Sequence, residues 1–563
     1  MKLTGSQMVI EALKEEGVTT VFGYPGGAIM NVYDEIYKQD YFEHILTRHE
    51  QASVHAADAY ARASGEVGVA IVTSGPGFTN AVTGLATAYT DSTPLVVISG
   101  QVPITMIGTD AFQEIDAVGI SRPCTKHNFL VKDVKELPHI LKEAFYIARS
   151  GRPGPVHIDI PKDVTADVGE FEYPKEISLK TYKPTLKGNI RQIKKALTAI
   201  KKAKKPLFYL GGGIILSNSS DEIREIISKT KIPAVETLMA RGTLRSDDEM
   251  LLGMLGMHGS YAANIAMSEC DLIISLGARF DDRVTGRLDK FATNAKIIHV
   301  DVDPSSIGKL VDVDYPIVGD LKNVLKNLLE LIDEIDSSSY ESWRGLVKKY
   351  GELHPLSFED SEEVLKPQWV IKRVGEKLGD KAIISTDVGQ HQMWTAQHYP
   401  FSYPRQLITS GGLGTMGFGF PASIGAKRAR EDKISINFTG DGSILMNIQE
   451  LMTAVESNTP VINIVLNNNY LGMVRQWQTF FYDKRYAETD LSMQPNFKML
   501  AESFGGVGYE VRTKEEFDKA LDDALSQNKV AFIDAHIDRL ENVLPMVPAG
   551  GTLYNMMLEF KDN

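Results

Sequence analysis

Along the chain, short runs of apolar and often β-branched residues alternate with longer stretches in which apolar and polar positions mix at helical spacing. The runs fall at 67–73, 95–99, 156–160, 207–210, 272–276, 297–302, 383–386, 434–438, 461–466 and 531–535. Their apolar positions are consecutive rather than alternate, which predicts strands covered on both faces, as in parallel sheets. Most end in Gly, Asp, Asn or Ser, residues that suit a turn leading into a helix. The pattern predicts an α/β fold of doubly wound parallel sheets.

Two segments break this rhythm with charge, proline and polar residues: 164–189, with Pro174 and Pro184, and 333–368, with Ser337, Ser338 and Ser339. Read as linkers, they separate blocks at 1–165, 190–335 and 368–545, followed by a tail at 546–563. A chain of 563 residues exceeds what one core usually supports, so several domains are expected. In each block the C-terminal ends of the strands are the expected ligand edge.

Composition narrows the class without naming a chemistry. With 43% hydrophobic residues, 24% charged residues and a net charge of −13, the chain reads as globular and carries no general nucleic-acid-binding character. Cys124 and Cys270 are far apart, which predicts neither a disulfide framework nor a zinc site but two buried free thiols. The N-terminus runs straight into an amphipathic stretch at 8–16 without a targeting pattern, and no apolar run reaches the ~18 residues of a membrane span. A cytoplasmic location with no membrane contact is the expectation.

Chemistry concentrates in the third block. The predicted strand at 434–438 runs into Gly440-Asp441-Gly442-Ser443, and the next strand ends in Asn467-Asn468. Glycines let backbone amides approach a diphosphate, and a helix expected to begin near Ile448 would aim its N-terminus at that charge. Asp441 and Asn468 offer the hard oxygens that magnesium prefers. Gly-Asp-Gly alone is only a turn, but followed by the Asn pair it resembles the motif of thiamine-diphosphate-dependent enzymes.

That resemblance implies roles for particular residues. Asp441, Asn468 and the Tyr470 backbone carbonyl would hold Mg2+. Gln390, His391, Gly442, Ser443 and Met473 would bind the cofactor, with Met416 supporting its bend. Thr47-Arg48-His49-Glu50-Gln51, in the first block, is similar to the family segment whose Glu sits beside the aminopyrimidine, making Glu50 the expected catalytic acid. Tyr24-Pro25-Gly26-Gly27 and Thr73-Ser74-Gly75-Pro76-Gly77 with Asn80 are similar to the pyrimidine-binding turns, Pro25, Gly26 and Asn80 being the expected contacts. The family places its active sites between subunits, so a homodimer or dimer of dimers is implied.

Four further segments resemble one branch, the acetohydroxyacid synthases. Gly108–Glu114 and Thr125–Asn128 supply Phe112, Gln113 and Lys126 near the expected substrate channel. Leu276–Gly286 supplies Arg279, whose planar fork suits the carboxylate of a 2-oxo acid. Leu471–Trp477 supplies Trp477, which in the family favours 2-oxobutyrate as acceptor. Val543–Gly551 is similar to a C-terminal segment that closes over the site, although Gly551-Thr552 and Tyr554-Asn555 depart from the commonest ending. Family FAD contacts match Arg152, Gly211, Gly212, Gly213, Thr237, Leu238, Met257, His258, Gly277, Arg279, Asp301, Asp303 and Asp320.

The implied activity is decarboxylation of pyruvate and ligation of the two-carbon unit to pyruvate or 2-oxobutyrate, with thiamine diphosphate, Mg2+ and FAD. A small regulatory subunit is the implied protein partner. The alternative is a pyruvate-oxidase-like enzyme using the same cofactors.

Overall fold

A computed structural model gives the structure and describes residues 1–560. Its strands in chain order are β1 (Lys2–Thr4), β2 (Thr20–Gly23), β3 (Glu43–Leu46), β4 (Gly68–Val72), β5 (Leu95–Gln101), β6 (His127–Leu130), β7 (Pro155–Pro161) and β8 (Val168–Glu170). They continue with β9 (Pro206–Leu210), β10 (Ala234–Glu236), β11 (Leu251–Met254), β12 (Leu272–Leu276), β13 (Lys296–Asp301) and β14 (Tyr315–Val318). The last are β15 (Ala382–Thr386), β16 (Leu407–Ile408), β17 (Ile434–Gly440), β18 (Val461–Asn467), β19 (Val507–Val511) and β20 (Ala531–His536).

They form three six-stranded sheets, ordered β3-β2-β4-β5-β7-β6, β11-β10-β9-β12-β13-β14 and β16-β15-β17-β18-β20-β19, plus a small antiparallel β1–β8 pair. Neighbouring strands run parallel throughout the first two sheets and from β15 to β19 in the third. The doubly wound α/β class expected from the apolar runs is therefore observed. Numbered within each sheet, the first and third share the order 2-1-3-4-6-5, whereas the middle one reads 3-2-1-4-5-6. The order reverses between β2 and β4, between β15 and β17, and between β9 and β12, which is where such sheets open a crevice for ligands.

Contacts group the chain into two compact units. One contains 1–183, 381–389 and 408–537, and so carries the first sheet and nearly all of the third; the other contains 184–380, 390–407 and 538 onward. In the first unit the helices Glu50–Ser64 and Gly419–Ala429 pack face to face. Alanines at 52, 56, 57, 59, 61 and 63 make the first of these thin enough to be buried nearly all round. A Cβ on Gly425 would fall 1.9 Å from the Ala56 carbonyl oxygen.

Three expectations need correction. The segment 333–368 contains the helix Glu341–Leu353, because Trp343 and Val347 make a buried i,i+4 pair and the Trp343 indole donates to the Pro206 carbonyl at 2.9 Å. The segment 164–189 includes β8, which pairs with β1. Cys124 is half-buried and only Cys270 is fully buried, although both are free.

Candidate active site

Around the first order reversal, β2 ends at Gly23 and β4 at Val72, so the Tyr24–Gly27 and Thr73–Gly77 turns leave the sheet side by side. Strand β3 leads through Thr47, Arg48 and His49 into the helix that begins at Glu50. The His49 ring nitrogen Nδ1 accepts the Gln51 N–H at 3.2 Å and caps that helix. Glu50 is buried in the first turn, and Asn80 donates its amide to Glu50 Oε2 at 2.9 Å.

Two glycines pack closely on Thr73 at this edge, and Gly77 also approaches that carboxylate. A Cβ on Gly26 would lie 2.5 Å from the Thr73 side chain, and one on Gly77 would lie 2.6 Å from Thr73 Cγ2 and 3.4 Å from Glu50 Oε1. Thr73 Oγ1 is buried without a hydrogen-bond partner, as a group waiting for a polar ligand would be. Pro25 is half-buried next to Gly26.

Gln113 adopts φ 60°, and its backbone packs on Gly75 so closely that a Cβ there would meet Gln113 O at 2.7 Å. It therefore abuts the turn that starts the Asn80 helix. Glu114 accepts the backbone N–H groups of Gly108 and Ala111, and these donors hold its carboxyl below the usual range. Phe112, between them, is 89% exposed. Lys126 sits elsewhere: its ammonium donates to the carbonyls of Ile147 and Ser150 (2.6 and 2.5 Å), capping the helix Leu137–Arg149, and lies over the Tyr182 ring. Arg152 donates to Ser92 Oγ at 2.8 Å.

In the third sheet, adjacent β17 and β18 end at Gly440 and Asn467. The helical turn begins at Asp441 itself, spanning Asp441–Ile444, and the next helix starts at Glu450 rather than near Ile448. The residues of the Gly-Asp-Gly motif are thus the helix start rather than a loop before it. Asn468 Oδ1 accepts the Tyr470 N–H at 3.1 Å, with Asn469 at φ 56° closing the turn. A Cβ on Gly442 would lie 2.8 Å from Leu471, so the Asp441 turn and the Asn468–Leu471 segment are in contact. Ser443 donates to the Val388 carbonyl at 3.3 Å. Met473 and Trp477 are half-buried on the helix Gly472–Phe481, and the Trp477 ring rests on Phe481 at 5.6 Å.

Asp441 is buried, and burial pushes its carboxyl up to about 7; its side-chain partner is the neutral Gln494 amide. A buried carboxylate with a neutral partner fits a divalent cation. Among the described residues no three His, Cys, Asp or Glu side chains gather as a metal site, so the cation would rely on Asp441, the Asn468 amide, the Tyr470 carbonyl and diphosphate oxygens.

Met416 is half-buried in the Gly411–Gly417 loop, whose Gly411 and Gly412 N–H groups donate to Asp91 at 3.1 and 2.7 Å. Asp387, not singled out from the sequence, is buried at the end of β15 and accepts the Gly419 N–H and the Thr439 hydroxyl (2.8 and 2.7 Å). An acid directly after an apolar run was the available signal. Gln390 and His391 open the helix Gln390–His398 of the other unit, where Gln390 donates to the Glu541 carbonyl at 3.0 Å.

In the second unit β9 and β12 flank the order reversal, and the glycines after them meet backbone to backbone. A Cβ on Gly211 would lie 2.2 Å from Gly277 O, and one on Gly213 would lie 2.8 Å from Gly277 Cα. Gly212 lies between them, against Met239. Thr237, after β10, has its hydroxyl buried without a partner, beside Leu238. Asp301 accepts the Asp303 N–H at 2.9 Å at the end of β13, and Asp320 caps the helix Leu321–Leu329. A glycine bed with an unpartnered hydroxyl at a switch point fits a dinucleotide such as FAD.

Met257 and His258 join the chain's end to this unit: His258 Nδ1 lies 3.2 Å from the Pro545 carbonyl and the Val547 N–H donates to Met257 at 2.8 Å. Burial lowers His258 to about 4. Val547, Leu553 and Met556 pack into the core of the same unit, while positions 561–563 of the expected tail lie outside the described residues. Arg279 is 41% exposed, 3.8 Å from the Asp281 carboxylate.

Paired strand-end clusters on two sheets of one order suit a thiamine-diphosphate enzyme, and the family matches show that class. In chain order the thiamine pyrophosphate enzyme N-terminal TPP binding domain matches residues 3–120, the central domain 193–328 and the C-terminal TPP binding domain 387–535. The acetolactate synthase large subunit of Haemophilus influenzae is 50% identical, covering 99% of this chain and 98% of its own. The isozyme 3 large subunit of Escherichia coli is 46% identical with the same coverage, and a probable acetolactate synthase large subunit of Methanocaldococcus jannaschii is 47% identical, covering 99% and 95%. The chain belongs to the acetolactate synthase large-subunit family of thiamine-diphosphate-dependent enzymes.

Proposed function

We propose that the chain decarboxylates pyruvate and ligates the two-carbon unit to a second 2-oxo acid, giving 2-acetolactate from pyruvate or 2-aceto-2-hydroxybutyrate from 2-oxobutyrate. This is the first common step of valine, leucine and isoleucine synthesis. The carrying observation is the pairing, in one chain, of a buried and oriented Glu50 with a buried Asp441 beside Asn468.

Bound thiamine diphosphate supplies the carbon nucleophile for both the decarboxylation and the ligation. Glu50 would exchange a proton with the aminopyrimidine when the cofactor is bound, and the Asn80 amide at 2.9 Å fixes the direction of that carboxyl. Gly26 and Gly77 let both turns pack against Thr73, where a Cβ at either position would clash. Asp441, Asn468 and the Tyr470 carbonyl would hold Mg2+. Gly442, Ser443, Met473, Gln390 and His391 would serve the diphosphate and Met416 the cofactor's bend.

Arg279 orients the carboxylate of the second 2-oxo acid; its 3.8 Å contact with Asp281 is too long to occupy the guanidinium fork. Trp477 narrows the acceptor pocket, and packing against one extra methyl favours 2-oxobutyrate by ~1–3 kcal/mol. FAD would be held in the second unit by Gly211, Gly212, Gly213, Thr237, Asp301 and Asp320, and would serve as structure because ligation transfers no net electrons.

A second copy of the chain completes the site. Supporting this, Tyr24, Met30 and Phe112 near the pyrimidine turns and Leu445 and Met446 near the Asp441 turn are all exposed large apolar residues. A small regulatory chain is the further partner. Among the described residues no helix is long and apolar enough to cross a membrane, and the cytoplasm is the proposed location.

The test is competition. Given pyruvate with equimolar 2-oxobutyrate, the parent is expected to make mainly 2-aceto-2-hydroxybutyrate and Trp477→Leu to lose ~10-fold or more of that preference. A parent product ratio with no preference would overturn the acceptor assignment.

A further inference from the structure

We infer that Glu450 is a positioning residue for Glu50. Glu450 opens the helix Glu450–Glu456 beyond β17, 400 positions away in sequence, yet both oxygens of its fully buried carboxylate accept the backbone N–H of Arg48, at 3.2 and 3.1 Å. Thr453 donates its hydroxyl to Glu450 Oε2 at 2.6 Å and fixes the rotamer. From the same helix Glu456 accepts the Arg48 guanidinium at 2.8 Å. Two acids on one short helix therefore grip both the backbone and the side chain of Arg48.

Arg48 lies two residues before Glu50, in the tight turn between β3 and the helix Glu50–Ser64. Neighbours hold that turn by the Thr47 N–H donating to Gly23 O at 3.2 Å and by a Thr47–Ser53 hydroxyl contact of 2.5 Å. The Arg48 N–H points instead to Glu450, so removing that acceptor leaves a half-buried donor unsatisfied at the turn that aims Glu50. Burial pushes the Glu450 carboxyl up to about 7, which shows how unfavourable this environment is for a carboxylate. Apolar side chains would fill the position at lower cost unless the carboxylate were needed as an acceptor.

The inference rests on the assignment of Glu50 as the group that activates thiamine diphosphate, and its test separates the two. The readouts are exchange of the thiazolium C2 proton of enzyme-bound thiamine diphosphate, amide hydrogen exchange in the 47–51 peptide without cofactor, and kcat against KM for pyruvate. In Glu450→Ala we expect C2 exchange and kcat to fall together by ~10- to 100-fold, KM to change little, and the 47–51 amides to lose protection. Glu450→Gln, which keeps an acceptor oxygen, is expected to restore most of both. Arg48→Ala keeps the backbone N–H and is expected to exchange near the parent rate.

Parent-like C2 exchange and 47–51 protection in Glu450→Ala would overturn the inference. Parent-like C2 exchange in Glu50→Gln would overturn instead the reading of Glu50. Should Glu450→Ala not fold, Glu450→Asp withdraws the carboxylate by one methylene and takes its place in the same measurements. Slowed C2 exchange with lost 47–51 protection in that variant supports the inference, and parent-like values of both overturn it.

Discussion

The role proposed for Glu50 depends on where its neighbours stop. Asn80 donates to one carboxylate oxygen, Gly77 lies against the other, and any side chain at 26 or 77 would collide with Thr73. Replacing Glu50 with Gln keeps shape and removes the acid, so turnover is expected to fall ~10²- to 10⁴-fold with an unchanged circular dichroism spectrum. Near-parent turnover would remove the assignment. The sequence displayed Glu50, Asp441 and Asn468 because each stands in a contiguous motif at a strand end. Glu450 and Asp387 were not legible in that way: an acid at a helix start or strand end is ordinarily solvated, and only tertiary contacts reveal these two as buried acceptors. Lys126, expected near the substrate channel, also donates to the carbonyls at the end of the helix Leu137–Arg149, a contact its motif does not show.

At the scale of elements, packing margins differ sharply between glycines. Gly425→Ala must part the helices Glu50–Ser64 and Gly419–Ala429, because the new Cβ would stand 1.9 Å from Ala56 O; a loss of ~1–3 kcal/mol is expected in denaturant unfolding. Gly345 in the helix Glu341–Leu353 has nothing within 4 Å, so Gly345→Ala is expected to gain ~0.5–1 kcal/mol. Equal midpoints for the two variants would contradict this contrast.

Strands β5 and β7 enclose another test. Asp159 accepts from Ser99 at 2.6 Å and Gln101 at 3.0 Å, and burial pushes its carboxyl up to about 7. A carboxyl whose folded value lies above its unfolded value of about 3.9 destabilises the fold as pH rises between the two. The stability of Asp159→Asn relative to the parent should therefore grow from pH 5 to 7, by at most ~1.4 kcal/mol per unit, and level off above. A difference independent of pH would contradict it. The apolar runs revealed most of the central strands but not β2; β6, β14 and β19 carry exposed or half-buried positions at sheet edges, and β10 has only three residues, so none of these gave a run long enough to read.

For the whole molecule, the three sheets followed from the recurrence of apolar runs, whereas the grouping of the first and third sheets in one compact unit did not. That grouping depends on small residues meeting across distant segments, such as Gly425 on Ala56, which leave no periodic trace. One unit thereby carries most of both segments that match TPP binding domains, and the carbon–carbon ligation proposed for them has a definite product. The most direct measurement is product analysis of the purified chain supplied with Mg2+, thiamine diphosphate, FAD and pyruvate alone. Carbon dioxide and 2-acetolactate in equal amounts, without hydrogen peroxide, are the expected result. Acetate or acetyl phosphate accompanied by hydrogen peroxide would make the flavin a redox partner and contradict the ligase reading of Arg279 and Trp477.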